Sequence, residues 1–124
     1  YQWDGAVMEI STDGGASWND LPPDGGYPSS FMQTGTPPIN TCGYAASHGA
    51  FNGVTTAGSN ADPNNGVAVA VFKPFTANLS SYVGQTVRIR WRMSTDPAAA
   101  FDGFFLDQVQ VSGAAGPGNY MCTP

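Results

Sequence analysis

One histidine and two cysteines are all the imidazole and thiol chemistry this chain carries. Cys42 stands six residues before His48, which lies in the small-residue stretch Ala45-Ala46-Ser47-His48-Gly49. A Cys–His pair can generate a thiolate nucleophile, but it needs a third group to orient the ring, and nothing around these residues suggests one. A lone histidine cannot build an HExxH zinc site, and neither a GxSxG elbow nor a glycine-rich phosphate loop occurs. Paired carboxylates of the kind used in glycoside hydrolysis could come from Glu9, Asp102 and Asp107. Taken together these residues argue against an enzyme.

Asp107 draws attention for a different reason. The stretch Phe104 to Ser112 predicts a closing strand with Phe105, Asp107, Val109 and Val111 on one face and Phe104, Leu106, Gln108 and Gln110 on the other. A carboxylate sharing a face with two valines must be ion-paired, hydrogen-bonded or bound to a cation, because desolvating it alone costs too much. A second strand shows a period of two: Val87, Ile89 and Trp91 alternate with Arg88, Arg90 and Arg92. Three of the four basic residues of the chain thus form one stripe. It is either a solvated sheet face whose charges discourage edge pairing, or a docking surface for an acidic glycan or a neighbouring domain.

The elements that must position these groups are strands and turns. Gly5 to Ser11 reads as a strand, its inward face left open because both alternating sets contain an apolar residue. It runs into Ser11-Thr12-Asp13-Gly14-Gly15-Ala16-Ser17-Trp18, which matches the Asp-box pattern S-x-D-x-G-x-[ST]-W. There Gly14 and Gly15 can take the positive φ of a tight hairpin, Asp13 can bond the turn backbone, and Trp18 can fold over it. Such a box specifies a hairpin, not a reaction. Residues 19–65 show little periodicity and are interrupted by Pro22-Pro23, Gly25-Gly26, Pro37-Pro38 and Asn64-Asn65; this is a long, ornamented loop region in which Tyr27, Phe31, Tyr44 and Phe51 are expected to form a small cluster. A strand is expected at Gly66 to Lys73, and no helix longer than a turn.

At 124 residues the chain is read as one domain, 1–124. Charged residues make up 10% of it, against roughly 25% in typical domains. Sixteen glycines and ten prolines indicate an all-β fold of short strands. The net charge of −5 leaves no diffuse basic field for nucleic acid, and no apolar run is long enough to insert into a membrane. An acidic, Lys-poor, Asn/Ser/Thr/Gly-rich composition fits a secreted or cell-surface protein. Cys42 and Cys122 lie in Gly/Pro-rich stretches and are read as one disulfide, which would stabilise by roughly 4 to 5 kcal/mol in the chain-entropy model; the alternative is two separate buried thiols. No signal peptide is seen. Tyr1 opens almost directly onto a strand, so the numbering is expected to start after processing or inside a larger polypeptide.

Three ordered blocks then resemble one family. Asp4-Gly5-Ala6-Val7-Met8-Glu9-Ile10 leading into the box, Leu79-Ser80-Ser81-Tyr82-Val83-Gly84 leading into Val87-Arg88-Ile89-Arg90-Trp91-Arg92, and Gly103-Phe104-Phe105-Leu106-Asp107-Gln108-Val109 are similar to the jelly-roll accessory module of secreted bacterial metallopeptidases of the immune inhibitor A type, itself related to MAM domains and reelin repeats. The resemblance runs from Trp3 to Val111, leaves 19–65 unmatched, and implies a two-sheet antiparallel jelly-roll sandwich with a structural calcium near one rim. Asp4 matches the acid before the first strand, and Asp107 the first acid of the closing I-D-D-V block, whose second acid is here Gln108. Glu9 and Asp102 complete the expected calcium donors. The strands that usually precede the first block are almost entirely missing, so a neighbouring segment completes the sheet or the module is shortened.

The functional expectation is a non-catalytic extracellular module of a larger protein that binds or positions something for it. Two alternatives stand beside it. One is a carbohydrate-binding module that stacks sugars on Trp3, Tyr27 and Tyr44; the other is a structural subunit of a surface assembly completed by strand addition from a neighbour.

Overall fold

The computed structural model describes residues 3–31, 44–45, 47–52, 72–95 and 103–113. Within them the chain is all-β and antiparallel. Strand β1 (Gly5–Ser11) is followed by β2 (Asn19–Asp20), β3 (Ser29–Ser30), β4 (Gly49–Ala50), a single 3-10 turn at Ser80–Tyr82, and β5 (Arg88–Ser94). One sheet has the order β2-β1-β5, and β3 pairs with β4 in a second, two-stranded sheet.

β1 is the centre of the molecule, and every one of its residues is buried. Its ambiguous alternation has a simple explanation: both faces are covered. Ala6, Met8 and Ile10 pack with Leu21 and Phe51 on one side, against half-buried Leu79, Tyr82, Val87, Ile89 and Trp91. Val7 packs on the other side with Phe31 and Ala50, bordered by Tyr27 and Tyr44. The Leu79 and Tyr82 positions of the second block are therefore core contacts made by a turn.

β5 lies along the whole of β1, from Gly5 opposite Ser94 to Ser11 opposite Arg88. This register puts Ile89 and Trp91 on the face of Ile10 and Met8, and sets Arg90 directly across from Glu9. On its opposite edge β1 has three short partners in place of one strand. β2 pairs at Glu9 and Ile10; Phe51 exchanges two backbone hydrogen bonds with Ala6, at 2.9 and 2.8 Å. Between them the Met8 carbonyl accepts from the Leu21 amide, at 2.8 Å. The Met8 amide donates to the Tyr27 hydroxyl, at 3.1 Å. A side-chain oxygen thus fills a ladder position that backbone would otherwise occupy, which keeps a buried amide satisfied.

The rings of the 19–65 region meet around this edge. Tyr27 packs edge-on against Phe51 with centroids 5.1 Å apart, and Phe31 stacks on Tyr44 at 5.4 Å. Gly49 is forced by close approach: any Cβ there would overlap the Tyr27 ring. Asp24 ties the 24–25 turn to the 76–78 segment, its carboxylate accepting from the Thr76 hydroxyl at 2.8 Å and the Asn78 amide at 3.1 Å.

The closing strand expected at 104–112 is not found among the described residues. Residues 103–113 enter no ladder with them and are exposed. Gln108 takes a left-handed conformation, φ 52°, which breaks the pleat that would keep Asp107 and Val109 on one face. Of the strand expected at Gly66 to Lys73, only Phe72 and Lys73 are described, both exposed and in no ladder with other described residues; its remainder lies outside the described residues.

Candidate functional site

The 11–18 turn is organised by two side chains. Ser11, almost fully buried, accepts from the amides of Gly15 at 2.8 Å and Asp13 at 3.3 Å, and donates its hydroxyl proton to Asp13 Oδ1 at 2.7 Å. Asp13 in turn accepts from the Ser17 amide at 2.9 Å and the Ser17 hydroxyl at 2.5 Å. These bonds, those from Ser17 foremost, hold its carboxyl well below the usual carboxylate range. Gly14 and Gly15 supply the left-handed backbone, φ 77° and 100°, that lets the chain reverse. Trp18 then returns over the turn and donates its indole N–H to the Gly15 carbonyl at 3.0 Å.

Trp18 leads to the most organised charge among the described residues. Glu9 sits near the centre of the sheet, its side chain 9% exposed. Arg90 Nε donates to Glu9 Oε2 at 2.6 Å, Arg92 Nη1 lies 3.8 Å from Oε1, and the Tyr44 hydroxyl donates to Oε1 at 3.0 Å. A buried carboxylate is tolerable when it is both paired and hydrogen-bonded, and Glu9 is both. Each guanidinium is also held by a ring: Arg90 lies 4.0 Å above Trp18 and Arg92 lies 5.3 Å from the Tyr44 centroid. Burial first, and then the Glu9 contact, push the Tyr44 phenol up to about 12.

A second polar group stands on the other edge of β1. The Tyr27 hydroxyl lies 2.6 Å from Asp20 Oδ1, and His48 Nε2 is 3.4 Å from Asp20 Oδ2. His48 Nδ1 faces the Gly49 carbonyl at 2.8 Å. Burial, and after it the Asp20 hydrogen bond, raise the Tyr27 phenol well above its ordinary value. Both ring nitrogens of His48 therefore face oxygens, and the Asp20 contact links the start of β4 to β2.

The expected site residues distribute as follows. Glu9 is bound by cations, which is the opposite of a vacant cation ligand. Trp3 and Asp4 are half-buried at the start of β1. Asp107 is exposed, and its Oδ1 accepts from the Gln108 amide at 2.7 Å. Asp102, Cys42 and Cys122 lie outside the described residues. Calcium takes six to eight oxygens, and among the described residues no three acidic, His or Cys side chains converge to hold a metal. Tyr27 and Tyr44, expected to stack sugars, make ring contacts with Phe51, Phe31 and His48. Sequence reasoning missed the Glu9–Arg90 pair, which joins residues 81 positions apart. The signal was present in two alternations, but nothing in either strand announces which residue of one stands opposite which of the other.

Comparison with protein-family models, with curated proteins and with solved structures finds no match.

Proposed function

We propose that this chain is a non-catalytic module of a larger extracellular protein, one that binds or positions another molecule for it. The observation that supports this reading most is the way its titratable side chains hold one another. Glu9 holds Arg90 and Tyr44, Asp20 holds Tyr27 and His48, and Asp13 holds the 11–18 turn. A general acid or base must face substrate with its proton at hand. These groups face backbone or each other, and their work is to fix loops around β1.

The finer architecture, a two-sheet jelly-roll sandwich, belongs to the same proposal and rests on the three blocks that resemble the metallopeptidase-associated module. Calcium enters it by the same route, through Asp4, Asp102 and Asp107, with Glu9 removed from the donor set because two arginines approach it. Its test is thermal: the melting temperature rises with added calcium, falls with chelator, and loses both responses in Asp107→Ala. An unchanged melting point in excess chelator overturns the calcium part alone.

The non-catalytic reading is tested by incubating the purified chain with mixed peptides and with mixed polysaccharides and following products by mass spectrometry. No product above buffer is expected. Turnover that copurifies with the chain and disappears in Glu9→Gln or His48→Ala would overturn it.

A further inference from the structure

His48 is the only histidine of the chain, and both of its ring nitrogens face oxygens that accept. Nδ1 lies 2.8 Å from the Gly49 carbonyl, which has no proton to give, so in the neutral ring the N–H belongs on Nδ1. Nε2 then carries the lone pair, 3.4 Å from Asp20 Oδ2. A lone pair beside a carboxylate oxygen needs a cation between them. A shared proton would draw the two atoms to about 2.7 to 2.9 Å, the length of a charge-assisted N–H···O bond. The observed separation is wider and fits a larger bridging ion.

The distance also selects among ions. Zinc bonds about 2.0 to 2.2 Å long, meeting at the tetrahedral angle, place a nitrogen and an oxygen ligand roughly 3.3 to 3.5 Å apart. Ligands at right angles, as in square-planar or octahedral coordination, would stand only roughly 2.8 to 3.0 Å apart at the same bond lengths. Both residues are also supported from behind in the way metal ligands are. The Gly49 carbonyl holds the far nitrogen of His48, and the Tyr27 hydroxyl holds the other oxygen of Asp20, at 2.6 Å. The rings of Tyr27 and Tyr44 border the imidazole, with centroids 6.3 and 4.9 Å from its own. Solvent still reaches the pair, the His48 side chain being 26% exposed and that of Asp20 41%.

We propose that His48 Nε2 and Asp20 Oδ2 bind a zinc ion. This goes beyond the reading of the chain as an extracellular module and is separate from the calcium assigned to Asp4, Asp102 and Asp107. Among the described residues no third acidic, His or Cys side chain joins the pair, so water completes the tetrahedron. A catalytic zinc keeps three protein ligands; with two, this ion is a clip. It ties the residue before β4 to the end of β2, and by binding the folded chain it stabilises the fold in proportion to its occupancy.

The test is NMR of the untagged chain, whose single imidazole gives unambiguous ring signals, during titration with zinc chloride in a chelator-free buffer at neutral pH. The His48 signals are expected to shift and to saturate at one equivalent, Nε2 moving most and Nδ1 keeping its proton. By calorimetry, Asp20→Asn, which leaves an oxygen for the Tyr27 hydroxyl, is expected to weaken binding by about tenfold or more, and His48→Gln to abolish it. Calcium prefers hard oxygen ligands, so about tenfold excess of it should leave the zinc-shifted signals in place. Three results would each overturn the proposal: His48 ring signals that do not move with zinc, a zinc affinity unaltered in Asp20→Asn or His48→Gln, or displacement of the zinc by calcium. The first is read on the parent chain and does not depend on how a variant folds. None of them bears on the module reading, which turnover defeats, or on calcium, which the Asp107→Ala melting test decides.

Discussion

Strand β1 and the segment 103–113 carry comparable alternations of apolar side chains, and the molecule treats them in opposite ways. In β1 all seven residues are buried, with β5 along one edge, β2, Tyr27 and Phe51 along the other, and side chains on both faces. In 103–113 the side chains of Phe105, Leu106, Val109 and Val111 are about half or more exposed, and Gln108 turns left-handed in mid-segment. An apolar alternation is thus a demand for partners and not a structure in itself. What meets the demand in β1 is a set of side chains from distant parts of the chain.

Changes in the two regions should differ sharply, and the largest effect belongs to β1. Ile10 is completely buried, so Ile10→Ala should cost about 2 to 5 kcal/mol in denaturant unfolding. A loss under 1 kcal/mol would mean that β1 is not the centre of the core. Tyr27→Phe removes the hydroxyl that satisfies the Met8 amide and should cost about 1 to 3 kcal/mol. Hydrogen exchange adds a sharper readout, since the Met8 amide should lose protection in that variant while the Ile10 amide keeps it.

The turn that closes β1 should respond to acid. Asp13 has its carboxyl lowered on folding, so its contribution is complete above the ordinary carboxylate value of 3.8 and is lost as pH falls below it toward the folded value. Stability of the parent should decline over that acid range more steeply than that of Asp13→Asn; parallel curves would show that the Ser11 and Ser17 bonds do not hold the turn. The smallest effect belongs to the exposed segment. Val109→Ser should change unfolding by no more than about 0.5 kcal/mol. A loss of 2 kcal/mol would show that 103–113 is a buried strand in solution.

Much of this molecule is legible in the residue pattern, and the rest is not for identifiable reasons. The two faces of β5 follow from the strict alternation of Val, Ile and Trp with Arg, and Ser11, Asp13 and the two glycines announce a turn. Which face of β1 is buried could not be read, because the answer is both, and that depends on Phe31 and Phe51 arriving from a region with no periodicity. The candidate site was legible only in its parts. The arginine stripe was visible and Glu9 was visible, but strand register joins them, and register is a tertiary property. Tyr27 had the opposite fate: a ring that reads as a ligand platform acts through its hydroxyl, in a ladder gap that no local pattern reveals. Gln108 reads as one more alternating residue, whereas its φ of 52° takes it out of the regular pleat.

The account depends most on Glu9 acting as the buried anchor of a basic face, neither a proton donor to substrate nor a metal ligand. A double-mutant cycle on Glu9→Gln and Arg90→Gln, measured by denaturant unfolding with chelator present, isolates that interaction. The pair is half-exposed on the arginine side, so a coupling of about 1 to 3 kcal/mol is expected, with each single variant less stable than the parent. Additivity within about 0.5 kcal/mol would contradict the account, because Glu9 would then be buried for some purpose other than holding the arginines.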